Sequence, residues 1–417
     1  MSFSTVATAP LPSQVAWPAS WRTVPLWTLF ERIKNVGHPD EDMLSVYRSH
    51  GVVKKDSRGD NFNKTAENRN IYQLVDKGWL IVNRMKAWQG SVGISDHRGI
   101  VSGHYICFRP RHNEDPRFLN HLLRSSAYTL EYARLSRGVR PNQIEIDNEL
   151  LRALPIRLPS TDEQRRIADF LDAETARIDK LLDAEQRAGL LVIERNRALI
   201  ESVLTEASVG LVRLKRLLSE PMSYGANAPA EHENQEWPRY IRTTDIANDG
   251  SLRPDTFASL PPSVAKGYEL REGDLLFVRS GATVGKNLIY RSFFGPAAHA
   301  GYLIKARINQ KLAMPRFVWY FCQTNSYWAQ IAEGAIQATI QNVNAEKYGN
   351  LMVPAADIEE QRTVVERLDT ELTGSRELAS LTSCRVQKLK ERRQALITVV
   401  VTGQIDVSTA SGRGIED

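Results

Sequence analysis

Cysteine is scarce in this chain: Cys107, Cys322 and Cys384 are the only three in 417 residues, far apart and without a C-x-x-C pair. That excludes a disulfide framework and points to buried thiols in a reducing compartment. Long apolar runs are missing too; the longest, such as Ala395 to Val401, are short. A membrane-spanning helix needs ~20 apolar residues, so no membrane partner is expected. No basic residue precedes Arg22 and no apolar h-region is present, so no secretory signal is expected and the chain is placed in the cytoplasm. The eight histidines form neither H-E-x-x-H nor a Cys/His zinc spacing, and His232 between Glu231 and Glu233 reads as a solvated loop. No metal site is expected. G-x-S-x-G, G-x-G-x-x-G and the Asn-Pro-Pro-aromatic motif of amino-methyltransferases are absent. Pro254-Asp255 has no Glu-x-Lys partner that would complete a nuclease motif. Gly281 to Lys286 invites a phosphate-loop reading, but it has three residues between the glycines where four are needed, and Asn287 where a Ser or Thr should follow the lysine. No catalytic residue is identified.

What remains has an ordinary soluble composition, 42% hydrophobic and 25% charged, and a length that suggests two to three domains. Its dominant feature is an internal repeat. Two segments, about Pro159 to Thr205 and Glu359 to Thr402, match at an offset of 197 residues. Glu163-Gln164-Arg165 matches Glu360-Gln361-Arg362, and Leu171-Asp172 matches Leu368-Asp369. Ala198-Leu199-Ile200 matches Ala395-Leu396-Ile397, and Thr205 matches Thr402. Earlier segments correspond more loosely: Gly78, Leu80 and Arg84 match Gly273, Leu275 and Arg279, and Pro116-Arg117-Phe118 matches Pro315-Arg316-Phe317. The repeat unit is one globular segment followed by one long helix, used twice.

Charge follows the repeat. Residues 1–158 hold 22 Lys and Arg against 15 Asp and Glu, and residues 208–355 hold 16 against 12. The helical segments are acidic, with 7 against 11 over residues 159–207 and 9 against 11 over residues 356–417. A basic globular unit present twice suggests a polyanion partner; an ordinary surface excess is the plainer alternative.

Both helical segments carry a single apolar stripe. It includes Ile167, Leu171, Ile178, Leu181 and Val203 in the first, and Val364, Leu368, Leu378, Leu381 and Val400 in the second. Ser160 or Thr161 can cap the first helix, and Pro354 and Asp357 hold similar places before the second. A helix of some 45 residues is roughly 65–70 Å long. Two such stripes most simply cover each other as an antiparallel coiled-coil pair with a pseudo-two-fold relation; pairing with another chain's helices is the alternative. The fold class expected is therefore α/β, with two α/β domains joined by two long antiparallel helices. The segments are residues 1–158, 159–207, 208–355 and 356–408, followed by a disordered tail over 409–417.

Gly78 to Val82 and Gly273 to Val278 look like buried strands entered from turns. Each runs into a polar, glycine-bearing loop. The first holds Arg84, Lys86, Trp88, Gln89 and Ser91; the second holds Arg279, Ser280, Thr283 and Lys286. Basic side chains, hydroxyls and close-approach glycines are the groups that meet phosphates and base edges, and Arg and Gln can contact guanine and adenine bidentately. Two solvated hairpin loops are the plainer alternative. Arg242, Thr243 and Asp245 form a third candidate. Gln337 and Gln341 form a fourth, with the stretch around Arg140 as its nearest counterpart in the first repeat.

These residues together resemble the specificity subunit of type I restriction-modification enzymes, over about Val24 to Val407. The most specific parts are Pro159 with Glu163-Gln164-Arg165, Pro354 with Glu360-Gln361-Arg362, and the helix ends Arg197-Ala198-Leu199-Ile200 and Gln394-Ala395-Leu396-Ile397 with Thr402-Gly403. Trp88-Gln89-Gly90 and Ser280-Gly281-Ala282-Thr283-Val284-Gly285 are also similar to the family; Gly103-His104 departs from it, where a Ser-Pro-type turn is common. The resemblance implies two target recognition domains, each reading half of a split double-stranded DNA site, and helices that set the spacing. It implies docking of two modification subunits, which carry the S-adenosylmethionine site, and then of restriction subunits that use ATP and Mg. No cofactor is implied in this chain. The alternatives are a DNA-reading subunit of another defence or DNA-modifying system, and a coiled-coil scaffold whose globular ends bind protein.

Overall fold

The computed structural model describes residues 15–57, 68–138, 143–247, 250–253, 255–335 and 342–407. Arg140, Gln337, Gln341 and the expected tail over 409–417 lie outside the described residues. The chain divides into two compact units. The first comprises residues 1–185 with 384–417, and the second residues 186–383. Each unit contains one globular segment and half of each long helix, so the compact units cut across the four segments of the sequence.

In the first unit, four antiparallel strands lie in the spatial order Phe30–Ile33, Tyr105–Pro110, Leu80–Asn83, Val92–Ile94. Successive residues on a strand face opposite sides. Leu80, Val82, Ile106 and Phe108 pack with Phe118, Leu119 and Leu122 of the helix Pro116–Leu123. Ile81 and Cys107 join Leu44, Val46, Val75 and Val101 in a separate cluster. Burial on both faces explains why the strand reads as a continuous apolar run. A further pair, Arg22–Pro25 with Pro155–Leu158, ties the two ends of the globular segment together just before the long helix.

The second unit repeats this plan. Its sheet order is Ser223–Tyr224, Leu303–Ala306, Leu275–Val278, Asn287–Ile289. Gly210–Arg213 pairs with Met352–Ala355 in place of the closing pair. Leu275, Phe277, Ile304 and Ala306 share a cluster with Phe317 and Val318 of the helix Pro315–Phe321, while Leu276, Val278 and Leu303 belong to another. The repeats differ in their smaller pairings; the first unit also holds Leu44–Tyr47 with Gly51–Lys54 and Ser136–Arg137 with Glu145–Ile146. Gln73–Val75 runs antiparallel to Gly99–Val101, whereas Arg239–Ile241 runs parallel to Ala297–His299.

The first long helix is continuous over Thr161–Ala207, and the Ser160 hydroxyl accepts the Glu163 amide at 3.3 Å. The second is divided, a departure from the single helix expected: Ile358–Glu371 ends at Leu372, and Thr373–Val401 follows. The reason is local. Thr370 and Thr373 hydrogen-bond back to the carbonyls of Glu366 and Asp369, at 2.9 and 2.6 Å, and Gly374 follows them. Threonine back-bonding weakens and bends a helix, and glycine adds backbone freedom. The helices pair antiparallel inside each unit. Asp179 meets Arg393 and Glu185 meets Arg385 in the first; Glu206 meets Arg367 in the second, where Gly189 also lies beside Thr382.

The apolar stripe is buried only towards the globular segments. Ile167, Leu171, Val203, Val364, Leu368 and Val400 are enclosed. Leu181, Leu378 and Leu381 are exposed, contrary to the expected seam, as are Leu190 and Leu191. A pair of helices encloses one narrow seam, and wider coverage needs a third layer. Cys107 and Cys322 are buried thiols, and burial pushes Cys107 up to about 12. Cys384 is exposed on its helix, which corrects the expectation of three buried thiols.

Candidate nucleic-acid interface

The loop between Leu80–Asn83 and Val92–Ile94 is ordered by its own polar atoms. The Asn83 carboxamide oxygen accepts the amides of Met85 and Lys86, both at 3.1 Å. A single 3-10 turn, Ala87–Gln89, ends at Gly90 with φ +88°. Gly90 packs on the next helix, with the Thr129 hydroxyl 3.0 Å from where a Cβ would stand. This leaves Arg84, Lys86 and Gln89 exposed. Trp88 is half-buried and gives its indole N–H to the Met85 carbonyl at 3.1 Å, while Ser91 is buried and presents nothing to a ligand.

The matching loop, between Leu275–Val278 and Asn287–Ile289, is held differently around an equivalent glycine. Gly285 has φ +86°, and a Cβ there would stand 2.7 Å from the Trp328 ring. Its amide donates to the Tyr348 hydroxyl at 3.1 Å, and its carbonyl accepts the Tyr327 hydroxyl at 2.6 Å. Both tyrosines are fully enclosed, and burial raises their hydroxyl pKa values. Gly281 also has φ +86° but faces open space. Arg279, Ser280, Thr283 and Lys286 are partly exposed around it.

Arg84 and Arg279 occupy the same structural position. The Arg84 amide donates to His104 O at 2.9 Å and its carbonyl accepts Ile146 N at 3.0 Å; the Arg279 amide donates to Tyr302 O at 3.0 Å and its carbonyl accepts Val343 N at 2.8 Å. The turn at Gly103-His104 therefore forms without the Ser-Pro sequence, and Gly301-Tyr302 does the same in the other repeat. Sequence reasoning missed the partners of the two guanidinium groups. Arg84 pairs with Glu145 at 2.8 Å, both side chains about half exposed. The Arg279 guanidinium lies 4.9 Å from the centre of the Tyr224 ring. Neither partner lies in a segment that repeats detectably, so no sequence signal marked them.

The third candidate is closed on itself. Arg242 donates to both oxygens of Asp245, at 3.0 and 2.9 Å, and Asp245 has no exposed surface. Thr243 stands half-buried beside them. This pair builds a turn, and its guanidinium is already committed. Many other basic groups of the globular segments are similarly engaged: Arg98 with Glu41 and Asp76, Arg109 and Arg111 with Glu31, Arg307 with Asp274 and Glu220. Lys86 and Lys286 stand in the loops without a carboxylate partner among the described residues.

The repeated helix motifs hold each globular segment on its helix. Gln164 is buried; its carbonyl oxygen accepts the Asp115 amide at 3.0 Å, and its amide donates to Glu114 and to Pro159 O at 2.6 and 3.1 Å. Gln361 does the same with Met314 N at 2.7 Å and Ala356 O at 2.8 Å. About two turns further, Asp172 accepts from Arg117 and His121, at 3.1 and 2.9 Å, and its equivalent Asp369 binds Arg316 and Tyr320. The hydrogen bond from His121 holds the Asp172 carboxyl below its ordinary value.

Residues 39–186 match the type I restriction modification DNA specificity domain. That span covers the first interface loop and the first half of the long helix. Over this span the chain is similar to type I specificity subunits. It is 22% identical over 392 residues to the type I restriction enzyme StySPI specificity subunit of Salmonella potsdam, covering 84% of this chain and 82% of that one. A solved structure described as the basis of complex assembly and conformational transition of the type I R-M system covers 94% of this chain and all of its own, at 18% identity and a TM-score of 0.56. The chain thus shares the fold of that solved structure. Among the described residues, no group of three His, Cys, Asp or Glu side chains could hold a metal ion, and no helix is long and apolar enough to cross a membrane.

Proposed function

We propose that this chain reads a split double-stranded DNA site, one half per repeat, as the non-catalytic specificity subunit of a type I restriction-modification complex. The observation that carries the reading is the placement of Arg84 and Arg279 at one equivalent position, each opening an exposed hairpin loop with a second cation, Lys86 or Lys286, a few residues on. A planar guanidinium at a fixed point of a rigid sheet is suited to bidentate contact with guanine or phosphate. The glycine conformations and buried anchors hold the loops before any ligand arrives, which lowers the entropic cost of binding.

Two modification subunits are proposed to dock on the exposed leucines of the helix pair and to supply S-adenosylmethionine and the methyl-transfer chemistry. Restriction subunits, with ATP and Mg, would join that assembly. In this division of labour the complex works in the cytoplasm.

Methylation mapping in a host expressing this chain with type I modification subunits tests the reading. A split motif is expected, and it should disappear when this chain is omitted. Arg84→Ala should relax one half of the motif and Arg279→Ala the other, each by ~1–3 kcal/mol of discrimination if the contact is to a base. Relaxation of both halves by either change would rule out independent readers. An assembled, active complex that adds no methylation would reject DNA specificity as the function.

A further inference from the structure

The two equivalent arginines are held by different chemistry. Arg84 faces a carboxylate, Glu145, whereas Arg279 faces an aromatic ring, Tyr224. Tyr224 is itself fixed. It lies in the edge strand of the four-stranded sheet, paired with Ile304, and its hydroxyl accepts the Ala345 amide at 3.3 Å. The residue is 42% exposed, so it forms a surface shelf more than a core element. The Arg279 Nε is buried without a hydrogen-bond partner. No carboxylate neutralises this group among the described residues.

Resting on the DNA-reading function above, we propose that Tyr224 is the positioning residue for Arg279, presenting the guanidinium as the specificity-determining group for one half-site. Stacking on a ring restrains the plane and direction of a guanidinium while leaving its terminal N–H fork unpaired. A carboxylate restrains the same group by occupying that fork, and DNA must then displace it. Arg279 is therefore poised to engage a guanine edge directly, whereas Arg84 must first release Glu145.

The test is selection of bound duplexes from a randomised DNA pool by the full-length chain assembled with its modification subunits. Wild type, Tyr224→Phe, Tyr224→Leu and Arg279→Ala are compared. Tyr224→Phe keeps the ring and should select the wild-type motif. Tyr224→Leu should lose roughly 3–10-fold of base preference at one position of one half-site, the position that Arg279→Ala also relaxes. The other half-site reports intact folding within the same molecules. In the Arg279→Ala background, Tyr224→Leu should have no further effect. Unchanged preference in Tyr224→Leu, equal weakening of both half-sites, or loss with Phe as large as with Leu would overturn the proposal. A wild-type assembly that selects no motif would overturn the DNA-reading function itself, a result distinct from any failure confined to the variants.

Discussion

Gly281 and Gly285 share a backbone conformation, φ +86°, and differ in what surrounds them. A side chain at either position is strained by the left-handed geometry. At Gly285 it would also meet the Trp328 ring and Ile331. Gly285→Ala should therefore cost ~2–4 kcal/mol, and Gly281→Ala ~1 kcal/mol, measured by urea denaturation of each variant. Equal losses would show that the enclosed tyrosines and Trp328 do not define the loop. In the first loop Ser91 is a packing residue, while Arg84, Lys86 and Gln89 remain at the surface. The sequence placed all of them in one polar loop, because residue type does not reveal which side chains turn inward.

At the scale of elements, the strongest repeat signals turned out to be anchors. Glu-Gln-Arg and Leu-Asp recur because Gln164 and Gln361 satisfy buried backbone groups, and Asp172 and Asp369 bind arginines of the preceding globular helix. A buried unsatisfied amide is costly, which ties these residue types to their positions. The Asp172 carboxyl is held low chiefly by the hydrogen bond from His121, with the charges of His121 and Arg117 acting in the same direction. Its contribution to stability is therefore complete above the ordinary aspartate range. It is lost as the pH falls from about 4 through the lower folded value. Asp172→Asn should flatten the acid limb of a plot of thermal midpoint against pH below about 4. Acid limbs of equal slope in both proteins would remove Asp172 from the anchor.

For the whole molecule, the apolar residues left uncovered are as informative as the core. Leu190 and Leu191 are 61% and 65% exposed on the first long helix, and Leu378 and Leu381 are exposed on the second. Leu378 and Leu381 were expected to lie within the helix seam, and two helices alone enclose none of the four. Leu190→Glu with Leu191→Glu should leave the melting temperature of the isolated chain nearly unchanged while abolishing co-purification with modification subunits. Retained co-purification would place the docking surface elsewhere. A double change that unfolds the chain would show that these leucines are core residues.

The sequence by itself determined the duplication, the two basic globular segments, the helix starts at Ser160 and Asp357, and the strand that leads into each candidate loop. These follow from local rules: period-2 and period-3.6 patterns, capping residues, and positions repeated at a constant offset. Only the tertiary structure decided the rest. It paired Arg84 with Glu145 and Arg279 with Tyr224, closed Arg242 on Asp245, and gave each compact unit half of both long helices. Those outcomes depend on which residues distant in the chain arrive at the same point, and on how much surface a pair of helices can cover. Neither is set by local periodicity, so neither was legible before the fold was known.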